Sequence, residues 1–72
     1  MRVLLTGAGG NLGRCLIPEL LARGHFLRTF DLPSVDNRRT LAARPGRLEP
    51  CWGDLRNAEA VDAALADCEA IV

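Results

Sequence analysis

Short apolar runs alternate with amphipathic stretches along this chain, and their spacing predicts the elements. Val3-Leu4-Leu5 is a near-continuous apolar run, as a strand covered by helices on both faces requires, and it predicts a first strand over Arg2 to Thr6. Leu12, Leu16 and Leu20 then recur at helical spacing, with Ile17 and Leu21 widening the stripe, so a helix is predicted to lie on the sheet by this face. Arg14 and Pro18 fall on its opposite side. Pro18 removes one helical hydrogen bond at a cost of about 3 kcal/mol, and a kink is predicted there. Gly24 supplies a left-handed residue to end the helix, with Arg23 in the final turn to meet its negative end. His25 to Phe30 reads as a second strand with Asp31 at its carboxyl end, and about Asp36 to Ala43 as a short helix. Arg44-Pro45-Gly46 is a turn signal. Arg47 to Trp52 reads as a third strand, confined to a sheet edge by Pro50, which cannot donate to a central ladder. Asn57 is an N-cap candidate for a third helix carrying Val61, Ala64, Leu65 and Cys68 on one face and ending at Cys68 or Glu69. Ala70-Ile71-Val72 begins a fourth strand.

This β-α-β-α-β-α-β succession predicts an α/β protein with a parallel sheet. An edge position for the third strand agrees with strand order 3-2-1-4, the N-terminal half of a Rossmann-type doubly wound sheet. The chain then reads as one partial domain over residues 1–72, reaching only the fourth strand. Strand one would be central in the whole sheet, so an unpaired apolar edge invites pairing with another chain, and self-association is expected.

The first strand runs into Thr6-Gly7-Ala8-Gly9-Gly10-Asn11-Leu12-Gly13, a glycine-dense turn that opens a helix. Glycines permit backbone angles that a Cβ would forbid and let phosphates approach the main chain, while the helix start offers unpaired N–H groups and a positive dipole end. The expected ligand is a dinucleotide bound by its pyrophosphate. Two registers are available. Gly7, Gly9 and position 12 give the long-chain fingerprint spacing, but position 12 is Leu where Gly or Ala is wanted. Gly7, Gly10 and Gly13 give a three-residue repeat with every glycine present, and this register is adopted.

In that register, Thr6-Gly7-x-x-Gly10-x-x-Gly13, with Arg23-Gly24-His25, Asp31 and Gly53-Asp54-Leu55 further on, resembles the short-chain dehydrogenase/reductase superfamily. The resemblance is to its extended and atypical branches, the NAD-dependent epimerase/dehydratase-like proteins, and it spans essentially the whole chain. It implies that backbone at Gly7, Gly10, Asn11, Leu12 and Gly13 meets pyrophosphate, that Asp54 contacts the adenine amino group and that the Leu55 backbone meets a ring nitrogen. Asp31 lies about 20 residues beyond the glycines, where an acid accepts from the ribose hydroxyls and repels a 2′-phosphate, so NAD is the expected cofactor. Asp31 and Asp54 can each also be read as ordinary turn residues. Arg38 and Arg39 keep NADP open, although they also fit the solvated face of a short helix.

Composition narrows the function classes. At 72 residues and 7.8 kDa the chain holds at most one domain, with 9 acidic and 9 basic side chains and 49% hydrophobic residues. This excludes a disordered chain and offers no basic stripe for nucleic acid. The N-terminal apolar run is too short for a signal peptide or a membrane span, so a cytoplasmic location is expected. Cys15, Cys51 and Cys68 show no metal or disulfide spacing and are expected to be small buried residues; His25 is expected at the surface. A P-loop is excluded because Gly-Lys-Ser/Thr is absent. A methyltransferase has no use for a helix N-terminus aimed at phosphates.

Tyr and Lys are absent from the chain, whereas the resembled family works with a Ser or Thr and a Tyr-x-x-x-Lys pair. No catalytic residue is therefore carried over, and no metal site is expected. The expected function is the NAD-binding portion of an NAD-dependent epimerase, dehydratase or reductase acting on a nucleotide sugar or similar polar substrate. Two alternatives remain open at this point: a non-catalytic, redox-sensor-like dinucleotide-binding module, and a remnant without activity.

Overall fold

The computed structural model describes residues 1–42 and 46–72. Four parallel strands, β1 (Arg2–Thr6), β2 (Phe26–Asp31), β3 (Leu48–Trp52) and β4 (Ala70–Ile71), form one sheet in the order β3-β2-β1-β4. Helices α1 (Asn11–Ala22), α2 (Val35–Thr40) and α3 (Ala58–Leu65) fill the crossovers. The expected α/β topology, strand order and edge position of Pro50 are all observed. Register pairs Val3 with Leu27 and Thr6 with Phe30 on one side of β1, and Val3 with Ala70 on the other.

Alternation along the strands sends side chains to two separate apolar clusters. On one face Val3, Leu5, Ala8, Leu27 and Leu48 pack with Ile17 and Leu21 of α1 and with Leu41 beyond α2. On the other, Leu4 and Phe30 meet Ala64 of α3, with Cys51, Ala60, Val61 and Cys68 around them. β1 and β2 are therefore covered from both sides, which is why Val3-Leu4-Leu5 carries no polar interruption.

The buried face of α1 is not the predicted stripe. Gly13, Ile17 and Leu21 are buried and Leu16 and Leu20 half-buried, whereas Leu12 is 73% exposed. The cause is Gly13. A Cβ on it would stand 2.6 Å from the Cα and O of Ala8, so the helix approaches the turn through position 13 and rolls Leu12 outward. Of the Gly7-Gly10-Gly13 repeat, it is Gly13 whose missing Cβ this close approach requires. Pro18 lies on the exposed side and α1 continues past it to Ala22.

The end of α1 is a Schellman motif: the Gly24 N–H donates to Leu21 O (3.1 Å) and the His25 N–H to Leu20 O (3.2 Å), with Gly24 at φ +83°. Arg23 is the C-cap residue, and the cation that reaches a terminal carbonyl is Arg47, whose Nη2 donates to Leu21 O at 2.8 Å. α2 starts at Val35 behind a Ser34 cap and ends at Thr40, short of the predicted Ala43, which lies outside the described residues together with Arg44 and Pro45. α3 has the expected Asn57 cap, Oδ1 accepting from the N–H groups of Glu59 and Ala60, but stops at Leu65.

That early stop has a cause in β2. Arg28 is buried in the middle of the strand, and its Nη1 donates to the carbonyls of Ala64 (2.9 Å) and Ala66 (2.6 Å) while Nε meets Glu49 Oε1 at 3.2 Å. A cation on the terminal carbonyls satisfies groups that otherwise lack partners and complements the negative helix end. The cysteine expectation fails for Cys15, which is exposed on the outer side of α1; Cys51 and Cys68 are half-buried. Burial and the neighbouring Glu49 push the Cys51 thiol up, away from reactivity. His25 is half-buried, more enclosed than expected, and among the described residues its Nδ1 has no hydrogen-bond partner.

Candidate functional site

The carboxyl ends of β1, β2 and β3 converge on one edge, the place where open α/β sheets bind ligands. Backbone hydrogen bonds hold the convergence: the Gly7 N–H donates to Phe30 O and the Gly53 N–H to Asp31 O, both at 3.0 Å. Between these ends lies a cleft of ≈ 180 Å³ lined by Gly7, Phe30, Asp31, Leu32, Gly53, Asp54 and Leu55. Four of the residues predicted from sequence, Gly7, Asp31, Asp54 and Leu55, meet there. The other four, Gly10, Asn11, Leu12 and Gly13, are placed apart from the cleft lining, at the head of α1.

That head is built for an anion. Gly10 caps α1 without a side chain, no acidic residue occupies the first turn, and the first N–H engaged within the helix is that of Arg14, on Gly10 O at 2.9 Å. The N–H groups of Asn11, Leu12 and Gly13 precede this first bond and are available to an external acceptor. Gly7 sits at φ +61° with open space where its Cβ would be, and Gly10 N–H closes the turn on Gly7 O at 3.0 Å. A pyrophosphate fits this arrangement of bare backbone and positive dipole.

Asp31 ties the turn to the second strand. Its Oδ2 accepts from the Gly9 N–H and its Oδ1 from the Leu32 N–H, each at 2.8 Å. The carboxylate therefore performs the local turn role and also reaches the glycine loop, 22 residues earlier. Sequence reasoning singled out neither Gly9 nor Asn37 at this point. A Cβ on Gly9 would run into the Asn37 carboxamide and stand 3.0 Å from Asp31 Oδ2, so Gly9 is required by its neighbours across the crossover. Arg38, one of the two arginines considered for a 2′-phosphate, lies over the Trp52 ring at 5.2 Å, and Arg39 is exposed.

Asp54 stands at the far wall of the cleft, both oxygens engaged by Arg56. Nη2 donates to Oδ2 at 2.7 Å, and the Arg56 backbone N–H donates to Oδ1 at 2.8 Å. These bonds hold the Asp54 carboxyl down at about 2, from an ordinary 3.8. Its folded-state value is depressed, so the associated stabilisation is present above pH 3.8 and is lost as pH falls through 2. In Arg56→Ala the Asp54 titration, followed by carboxyl-carbon NMR, is expected to return close to 3.8; an unchanged value would show that Arg56 is not the cause. Gly53 is fixed by Phe30, whose Cζ would lie 2.9 Å from an added Cβ, which explains a glycine at the cleft floor.

Among the described residues no cluster of His, Cys, Asp or Glu could hold a metal, and no helix is long and apolar enough to cross a membrane.

Comparison with known proteins decides the family. Residues 7–72 match the family described as NAD(P)H-binding. The chain belongs to this family, within the short-chain dehydrogenase/reductase superfamily. It is 42% identical over 71 residues to a 3-beta-hydroxysteroid dehydrogenase of Mycolicibacterium neoaurum, covering 97% of this chain and 18% of that protein. Uronate dehydrogenase of Agrobacterium tumefaciens, solved as a mutant complexed with NAD, superimposes with TM-score 0.78 at 36% identity, over 97% of this chain and 24% of that one. The Bordetella bronchiseptica enzyme WbmG, solved with NAD and UDP, gives 0.77 at 31% identity, over 90% and 21%. The chain spans about a fifth of the length of these relatives. It corresponds to the N-terminal, dinucleotide-binding part of an extended or atypical short-chain dehydrogenase/reductase.

Proposed function

We propose that this chain binds NAD as the cofactor-binding part of an NAD-dependent dehydrogenase, epimerase or reductase. The observation that carries the reading is the Asp31 carboxylate, hydrogen-bonded to Gly9 of the glycine turn and lining the same cleft as Gly7, Asp54 and Leu55. In this reading the Asn11, Leu12 and Gly13 N–H groups, with the Gly7 and Gly10 backbone, take the pyrophosphate. Asp31 takes the adenosine ribose hydroxyls, and Asp54 and the Leu55 backbone take the adenine edge. Each Asp31 oxygen keeps a lone pair for a hydroxyl after its backbone bond. A 2′-phosphate would bring like charge against that carboxylate, so NAD is preferred to NADP.

Bound NAD would supply hydride acceptance; the Tyr-x-x-x-Lys pair of the resembled family is not among these residues, since the chain has no Tyr and no Lys. For the whole protein the proposed substrate is a nucleotide sugar or a similar polar, hydroxyl-bearing molecule, in line with the UDP in WbmG and with uronate dehydrogenase. The hydroxysteroid dehydrogenase relative favours a second reading, an apolar alcohol handled by the same cofactor half. We also place the protein in the cytoplasm, in keeping with three free thiols, and the outer edge of β4, with Ile71 and Val72 exposed, as a surface for further strand pairing.

Trp52 is the sole tryptophan and adjoins Gly53, so its emission reports ligand entry. Titration with NAD is expected to saturate, NADP to bind at least about tenfold more weakly, and Asp31→Ala to weaken NAD by about tenfold while narrowing that preference, as loss of charged hydrogen bonds implies. Equal affinity for both nucleotides in the native chain would remove Asp31 from the reading.

A further inference from the structure

α2 is an unusual helix for its position, because none of its six residues is buried. Besides Arg38 over the Trp52 ring, its connection to the rest of the molecule runs through two points. Leu41, immediately after it, is fully buried in the larger apolar cluster, and Asn37 faces the glycine turn. The Asn37 backbone is held at both ends: its N–H donates to Ser34 Oγ at 3.0 Å, and its carbonyl accepts from the Leu41 N–H at 2.8 Å. The side chain is held as well, Nδ2 donating to Leu32 O at 2.8 Å while Oδ1 rests against Gly9. Gly9, Asp31, Leu32 and Asn37 therefore form one patch, in which the Asp31 carboxylate and the Asn37 amide both reach Gly9 and both bond the Leu32 backbone.

We propose that Asn37 is a positioning residue for the ribose end of the cleft: its carboxamide, wedged between Gly9 and Leu32, holds the Asp31 carboxylate on the Gly9 N–H. The ligand part of this inference rests on the NAD reading above; the bracing does not. Asp31 lies at a strand end, half-exposed, where an unbraced carboxylate would turn toward water and lose orientation. Leu32 carries one of the two N–H groups that Asp31 accepts, and Asn37 fixes Leu32 through its carbonyl. Neutrality matters equally. A carboxylate at position 37 would face Asp31 across Gly9 with no cation between them, while an amide adds bulk without charge.

The test uses the full chain, with hydrogen exchange at the Gly9 amide and NAD affinity from Trp52 emission measured in parallel. Asn37→Ala is expected to speed Gly9 exchange and to weaken NAD by about five- to tenfold, an effect of the size seen for coupled neighbours. In an Asp31→Ala background the same change should cost nothing further, since Asn37 acts through Asp31. Asn37→Asp, which keeps shape and backbone cap, should act in the same direction and carries the test should the alanine variant fold poorly. If the native chain binds NAD but Asn37→Ala and Asn37→Asp leave Gly9 exchange and affinity unchanged, the proposal is overturned and the NAD reading stands. An additive loss in the Asp31→Ala background overturns it too. If the native chain binds no NAD yet the variants still release the Gly9 amide, the brace is upheld and the NAD reading fails.

Discussion

Gly13→Ala is expected to lower stability by about 3 kcal/mol and, in the surviving folded fraction, to abolish nucleotide binding. The reason is that the new methyl meets backbone. Its Cβ would lie 2.6 Å from Ala8 Cα and O, atoms that no rotamer change can move aside, so α1 itself must retreat from the turn. Retreat opens the Ile17 and Leu21 contacts on β1 and β2 and displaces the Asn11, Leu12 and Gly13 N–H groups together. A chain of this length has roughly 4 to 11 kcal/mol of stability, so the loss is a large fraction of the total. Gly10→Ala serves as the comparison, because its Cβ would meet only Gly7 O at 3.3 Å and its φ of −76° suits any residue. Urea midpoints of the two variants measured side by side check this; equal midpoints would mean that the Gly13 contact yields without cost.

Arg28→Met is expected to cost about 2 kcal/mol, the usual scale for leaving a buried hydrogen-bonding group short of its partner. The side chain is 10% exposed and serves the carbonyls at 64 and 66 together with Glu49. Methionine matches its apolar stem but removes the guanidinium donor from both carbonyls, leaving the Ala64 carbonyl only the weak Cys68 S–H at 3.6 Å. Glu49 is 51% exposed and rehydrates, so the ion pair contributes the smaller part. Glu49→Gln should therefore lose under about 1 kcal/mol. Thermal and urea unfolding of the two variants separate these contributions, and a larger effect at Glu49 than at Arg28 would reverse the assignment.

The sequence carried the architecture because its strongest signals are the ones a parallel sheet makes obligatory. Val3-Leu4-Leu5, Pro50 and the glycine repeat each exclude most other placements, and strand order followed from them. Element ends were less legible. Leu12 belongs to the helical stripe by spacing yet is exposed, because a backbone contact at Gly13, invisible to hydropathy, sets the roll of the helix. Arg28 carries no helix-cap signal in the sequence, and only the return of α3 over the sheet makes it one. In the cleft, Gly7 and Asp31 were found through spacing and Asp54 and Leu55 through the family resemblance, whereas Asn37 has no signal in one dimension: it touches the turn through Gly9, 28 positions away. Cys15 looked like a small buried residue by type, but helical geometry turns it outward with Arg14.

The two faces of the sheet are held unequally, and this has a consequence for motion. Among the described residues, eight buried ones secure the face under α1 and Leu41, but only Leu4, Phe30 and Ala64 are buried in the cluster beneath α3. Partial opening of the native state begins where the least apolar surface is lost, so of the two helices packed on the sheet by a buried face, α1 and α3, it is α3 that detaches first. Gly53, Asp54 and Leu55 lie on the connection from β3 to α3, which places one wall of the cleft on this detachable unit. A ligand gripping that wall is linked thermodynamically to the docking of α3, and occupancy at the sheet edge would suppress excursions of the whole helix.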